Sequence, residues 1–162
     1  MRPDDLVQLE LVKQLKHRYC RLLDTKRFDE LGALFVEDGT ASYGGGAVTL
    51  SGRADIVAFL HRAMGSERIL TSHLVGHPEI ELVSAQQALG SWALQDVVLH
   101  EEHGVVIRGA SYYEDRYVLT PSGWRIQHTG YKRLFEELAP RSEGSRTTAS
   151  WFGTDGRSSL VG

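Results

Sequence analysis

The sequence predicts an α+β domain, a cone of three N-terminal helices packed on a strongly curved, mostly antiparallel sheet. Two observations establish the element types. Up to about residue 64 apolar residues recur at three- and four-residue spacing, and from Ile69 onward they alternate, with β-branched and aromatic types dominating. A third fixes the connectivity: only a few residues separate the alternating runs, so neighbouring strands run antiparallel. Helices followed by a meander is the order in which helices cover one face of a sheet.

The first helix is expected over 4–23, capped by Asp4 or Asp5, with Leu11, Val12, Leu15, Tyr19, Leu22 and Leu23 on its apolar stripe. A second is expected over 27–35, carrying Phe28, Leu31, Leu34 and Phe35. A short extended piece over 40–43 runs into Gly44-Gly45-Gly46, a turn. The third helix is expected over 53–64, with Ile56, Val57, Leu60 and Met64. Four strands follow, at 69–83, 86–100, 104–119 and 123–135. Strands of that length must coil or bulge, and Gly76-His77-Pro78 marks a bend in the first. The domain is therefore placed at 1–136. Residues 137–162, rich in Ser, Thr, Gly and Arg with Trp151, Phe152 and Leu160 as isolated anchors, form a tail that covers the pocket mouth, docks on another subunit or hangs loosely.

The chain has 162 residues, enough for one core without metal or disulfide staples, and 41% of them are apolar. A net charge of −3 is too small and of the wrong sign for a nucleic-acid or membrane-surface partner. Cys20 is the only cysteine, so no oxidising compartment is required. No apolar run approaches the roughly 20 residues of a spanning helix, and no apolar leader opens the chain, so a cytoplasmic protein is expected. Neither a metal signature, a phosphate loop nor a GxSxG elbow is present, and no cofactor is expected.

The informative positions are polar side chains where the period points inward. Asp96 shares a face with Trp92, Leu94 and Val98, but the opposite face (Leu89, Ala93, Val97, Leu99) is apolar too, and alternation alone does not choose between them. His73 lies mid-strand and is suited to moving a proton near neutral pH. Asp24 follows the first helix, where it reads equally as a cap. Tyr19 lies on the helix's apolar stripe; at about 100° per residue it and Asp24 point about 140° apart, so they converge only if the helix ends before Asp24. In the last strand, strict alternation groups Trp124, Ile126 and His128 on one face and Tyr131 and Arg133 on the other, with Arg125 and Arg133 both candidates to face the pocket. Tyr43, Trp92, Tyr113, His128 and Tyr131 are the candidate substrate-binding residues.

Four strings carry a resemblance: Tyr19-Cys20-Arg21-Leu22-Leu23-Asp24, Phe28 through Phe35, Ser72-His73-Leu74, and Gly123-Trp124-Arg125-Ile126 with His128-Thr129-Gly130-Tyr131. Over about residues 5 to 136 the chain resembles the SnoaL-like branch of the NTF2-like superfamily, whose fold hosts enzymes and binding modules alike. Its polar pattern is most similar to the bile-acid 7α-dehydratases and the hexachlorocyclohexane dehydrochlorinase, which use an Asp–His dyad. Asp24 and His73 fall at the dyad's positions. The bile-acid enzymes also place a Tyr five residues before the Asp, matching Tyr19, and a second Asp downstream of the His, matching Asp96. Arg133 is the nearest match to their late Arg, and the dehydrochlorinase has Lys where this chain has Tyr19.

The resemblance implies a cofactor-independent dehydratase with His73, Asp24, Tyr19, Asp96 and Arg133 as catalytic residues, acting on a hydrophobic alicyclic, steroid-like or polyketide-like substrate. Two alternatives share the fold: an isomerase or cyclase using the same base, and a non-enzymatic small-molecule-binding module, which a His73 turned away from Asp24 would favour. The doubly apolar strand 86–100 fits a buried interface, and related dehydratases imply a homotrimer over a dimer.

Overall fold

A computed structural model describes residues 3–154. Helix α1 spans Pro3–Asp24 with Asp4 and Asp5 in its first turn, where acidic groups suit the positive end of the helix dipole. It ends in a Schellman arrangement: Lys26 adopts φ 57°, and the amides of Lys26 and Arg27 donate back to the carbonyls of Leu23 (3.1 Å) and Leu22 (2.9 Å). Glycine usually holds that left-handed position. Here the lysine side chain has a use, because Nζ donates to the carbonyls of Met64 (2.5 Å) and Ile69 (2.7 Å), tying the end of α1 to the two segments that flank the cavity.

Helix α2 is only Phe28–Gly32, shorter than the expected 27–35. A Cβ on Gly32 would lie 2.8 Å from Val57 Cγ2 of α3 (Arg53–Met64), so the glycine lets the two helices nest. The chain then extends as β1, Phe35–Tyr43, running parallel to the last strand; the Ile126 amide donates to the Leu34 carbonyl at 2.8 Å. Leu34 and Phe35 are buried as their spacing indicated, but Leu34 lies in the turn after α2 and Phe35 opens β1, so neither is helical. After the Gly44–Gly46 turn, where all three glycines have positive φ, comes β2 (Val48–Ser51), a hairpin partner too short to register as a period.

Strands β3 (Ile69–Ser84), β4 (Gln87–His100), β5 (Val105–Thr120) and β6 (Gly123–Pro140) form the expected antiparallel meander, and β6 runs past residue 136. The sheet order is β2-β1-β6-β5-β4-β3. Its curvature has local causes: register shifts at Gly76/Glu79, Ala110/Ser111 and Arg116/Tyr117, the first containing His77 at φ 46°. The helices fill the concave side, where Tyr19, Leu31, Phe35, Ile56, Leu60, Trp92, Tyr117 and Ile126 form the core.

In the tail, Arg141 and Thr147 both reach the Glu101 carboxylate (3.4 and 2.5 Å), and the Phe152 ring lies 5.3 Å from Lys26 Nζ. Among the described residues no part of the tail lines the cavity below, and Arg141 and Thr147 brace the sheet end at Glu101. Leu160 lies outside the described residues. Among the described residues no helix is long and apolar enough to cross a membrane.

Burial pushes the Cys20 thiol up to about 12, which suppresses the reactive thiolate. The folded protein should therefore resist a thiol-specific chromogenic reagent and react fully only in denaturant. Rapid labelling of the native chain would contradict this placement.

Candidate active site

A cavity of about 280 Å³ opens between α1, α3 and the concave sheet, lined by Leu23, Phe59, Met64, Leu94 and Val98 among apolar residues and by Tyr19, Tyr43, His73, Asp96, Tyr113, Tyr131 and Arg133 among polar ones. Asp24 stands behind His73. Its Oδ1 accepts from His73 Nδ1 (2.7 Å) and the Thr71 hydroxyl (2.8 Å), and its Oδ2 accepts from the His73 backbone amide (2.9 Å). A carboxylate at Nδ1 makes that nitrogen the donor, so Nε2 is the basic nitrogen of a ring that lines the cavity. The His73 side chain is 9% exposed, and the carboxylate holds strand and ring together, so the ring has one orientation. Asp24 is the last residue of α1 and still reaches β3, because the helix points its C-terminus at that strand.

Asp96 resolves the ambiguity of its strand: it is buried on the concave face with Ala88, Trp92 and Leu94. Arg133 holds it with a bidentate pair, Nη1 on Oδ1 and Nη2 on Oδ2 (3.0 Å), and also meets Ser111 Oγ at 3.1 Å and Glu136 at 2.8 Å. Burial works against the Arg133 cation, but the hydrogen bond and charge of Asp96 raise its pKa overall. Arg125 donates instead to the Trp124 carbonyl and stays off the cavity.

The guanidinium reaches Asp96 by crossing Gly109, which pairs with Asp96 on one side and Glu136 on the other. A Cβ there would collide with Arg133 and sit 3.1 Å from Asp96 Oδ1. Gly109→Ala should therefore dislodge the arginine and lower stability by about 1–3 kcal/mol, as overpacking does. Urea denaturation checks it, and an unchanged midpoint would mean the arm relocates freely.

Tyr19 and Tyr43 share a hydrogen bond at 3.0 Å. Burial above all, with Tyr43 and Tyr113 nearby, holds the Tyr19 hydroxyl well above its ordinary pKa, and burial does the same to Tyr43. Both remain neutral donors. Tyr131 stands edge-on to Tyr113 with its ring 4.9 Å from the Arg133 guanidinium.

Two expected substrate-binding residues are elsewhere. Trp92 is on the cavity's face of β4 but at the filled end of the cone: it is fully buried and donates to the Tyr117 hydroxyl at 3.0 Å. His128 lies off the cavity because of the bulge. Asp115 pairs with Thr129 and Arg116 with His128, but Tyr117 pairs with Ile126, so Gln127 is the extra residue. Alternation flips there: Trp124 and Ile126 point inward, then Thr129, Tyr131 and Arg133 do. His128 instead meets the Thr40 hydroxyl at 2.7 Å, with its pKa lowered by burial and then by Arg116. Sequence reasoning missed Lys16, which has no exposed surface although it falls on the α1 stripe three residues before Tyr19. Its spacing was the available signal. Among the described residues no group of His, Cys, Asp and Glu is arranged to hold a metal ion.

Residues 5–130 match the family model of the SnoaL-like domain. An uncharacterised protein of Mycobacterium tuberculosis is 25% identical over 131 residues, covering 78% of this chain and 86% of its own length. The fold is similar to that of a candidate scytalone dehydratase from Novosphingobium aromaticivorans (TM-score 0.79, 22% identity, 91% of this chain and 100% of that one). It is also similar to a type-2 hexachlorocyclohexane dehydrochlorinase (TM-score 0.78, 15% identity, 90% and 98%). At these identities the structural likeness establishes the NTF2-like cone and not the chemistry.

Proposed function

The chain belongs to the SnoaL-like family, and from that premise and the cavity's geometry we propose that it is a cofactor-independent lyase removing water from a hydrophobic alicyclic or polyketide-like substrate. The observation that carries the reading is the 2.7 Å contact between His73 Nδ1 and Asp24 beside an apolar cavity. A ring turned away from Asp24 would have favoured a binding module; this one faces it.

The chemistry follows from the groups present. His73 Nε2 takes a proton from carbon next to a carbonyl, and Asp24 stabilises the imidazolium that forms. One hydroxyl proton of the Tyr19–Tyr43 pair is spent on their mutual bond, and the other is donated to the oxygen on which charge develops. The imidazolium returns its proton to the departing β-hydroxyl, so a C–H and a C–O bond break, a C=C bond forms and water leaves. Asp96 and Arg133 form a polar patch that orients a substrate oxygen, with Tyr113 and Tyr131 as wall. At about 280 Å³ the cavity lies at the lower end of small-molecule pockets, which favours a compact ring system over a full steroid nucleus. Leu74 on β3 and Leu134 and Phe135 on β6 are exposed, which supports assembly of copies through the sheet, with a trimer the expected form.

The test is a panel of cyclic β-hydroxyketones incubated with the protein in deuterated water and analysed by mass spectrometry. Loss of one water, absent with His73→Ala, supports the dehydratase. Unchanged mass apart from deuterium uptake at carbon points to the isomerase reading, and neither change across the panel counts against His73 as a base.

A further inference from the structure

A second polar cluster lies behind the cavity, closed off from solvent. Lys16 is the one charged residue on the buried stripe of α1. Its ammonium is 2.8 Å from Asp115 Oδ2 and 3.4 Å from Thr129 Oγ1. Asp115 also accepts from the Thr129 hydroxyl (2.7 Å) and the Tyr117 hydroxyl (2.6 Å), and Tyr117 accepts from the Trp92 indole. The carboxylate is fully engaged, and neither side chain of the ion pair has exposed surface.

A buried ion pair is weak evidence for stability, because a well-packed apolar pair of the same volume often serves as well or better. The position of the ammonium offers another reason for it. Lys16 Nζ lies 3.2 Å from the centroid of the Tyr113 ring and 4.9 Å from that of Tyr19. Both rings line the cavity, and they stand edge to face at 6.3 Å. A desolvated cation on an aromatic face is a strong and directional contact. Tyr113 thus has the cation on its face and Tyr19 at its edge, and Tyr19 in turn meets the Tyr43 hydroxyl.

We propose that Lys16 is a positioning residue of the cavity. Gripped by Asp115 and Thr129, its ammonium fixes the rings of Tyr113 and Tyr19 and so holds the Tyr19–Tyr43 hydroxyl pair ready for a ligand oxygen. The cavity then selects an oxygen-bearing ring over the same ring without it. This selection does not require His73 to act as a base.

The test uses the full chain and two probes of nearly equal shape, para-cresol and toluene, titrated by calorimetry. The variant is Lys16→Met/Asp115→Asn, which removes both charges, keeps the lysine stem's volume and leaves an amide to bond Tyr117 and Thr129. The wild type should bind the phenol about tenfold more tightly. The double variant should keep its fold and its toluene affinity while that preference falls toward unity, and Tyr19→Phe should reproduce the loss. His73→Ala should leave the preference intact. A preference unchanged in the double variant, parallel weakening of both probes, no preference or no binding in the wild type, or a preference lost only in His73→Ala would each overturn the proposal.

Discussion

His73→Ala is expected to lower the rate of water loss by about a hundred- to ten-thousandfold, the usual contribution of a positioned general base. The side chain is nearly buried and its one strong polar partner is Asp24, so no neighbouring group is placed to substitute for it. Asp24→Asn should lose activity on a similar scale for a different reason. The carboxylate accepts from three donors, the His73 ring, the His73 amide and the Thr71 hydroxyl. An amide offers one acceptor oxygen and sets an NH2 against a donor, so the ring loses its fixed tautomer, and the unmade bonds cost about 1–3 kcal/mol of stability. The two variants differ in a measurable way: His73→Ala should leave the Thr71–Asp24 contact and nearly all of the stability, whereas Asp24→Asn should weaken that contact and carry the stability cost just given. Quantitative mass spectrometry of product, with thermal melts of each variant, checks this. Retention of a tenth or more of the wild-type rate by His73→Ala would remove His73 from the chemistry.

Lys16→Met alone should be the most destabilising substitution of a cavity-adjacent residue. It leaves Asp115 charged, without solvent and without its cation, and breaking one side of a buried pair costs about 3–5 kcal/mol. For a chain of this size that is a fall in melting temperature on the order of 10 °C. Adding Asp115→Asn should recover most of the loss, because the second charge is then gone, the amide oxygen still accepts from the Tyr117 hydroxyl, and its NH2 donates to Thr129 Oγ1 in place of the lost Lys16 ammonium. Differential scanning calorimetry of the single and double variants decides it. Equal melting temperatures would mean that Asp115 finds another cation or takes up a proton.

The fold was legible because helix and strand periods differ and the links between strands are short. The meander was readable almost to its ends, and Asp24, His73 and Tyr19 came from local strings. The misreadings have local causes. Leu34 and Phe35 are buried, and burial in a helix and in a strand leaves similar traces over so few residues. Strict alternation set His128 and Tyr131 on opposite faces, and the bulge at Gln127 is what turns Tyr131 inward with Ile126 and leaves His128 off the cavity. Trp92 lies on the inward face of β4, but a face does not tell the filled end of a cone from its open one.

What the sequence determined by itself is therefore the order of helices followed by a meander, the buried stripes of the helices and the residue types able to move a proton. These are properties of a few consecutive residues and their spacing. Only the tertiary structure decided which of two apolar faces of β4 holds Asp96, that Arg133 and not Arg125 crosses Gly109 to meet it, and that Lys16 closes an ion pair with Asp115 across 99 positions of chain. Those outcomes depend on sheet curvature, bulges and the seating of α1, which arise from many distant contacts at once and leave no period in the sequence.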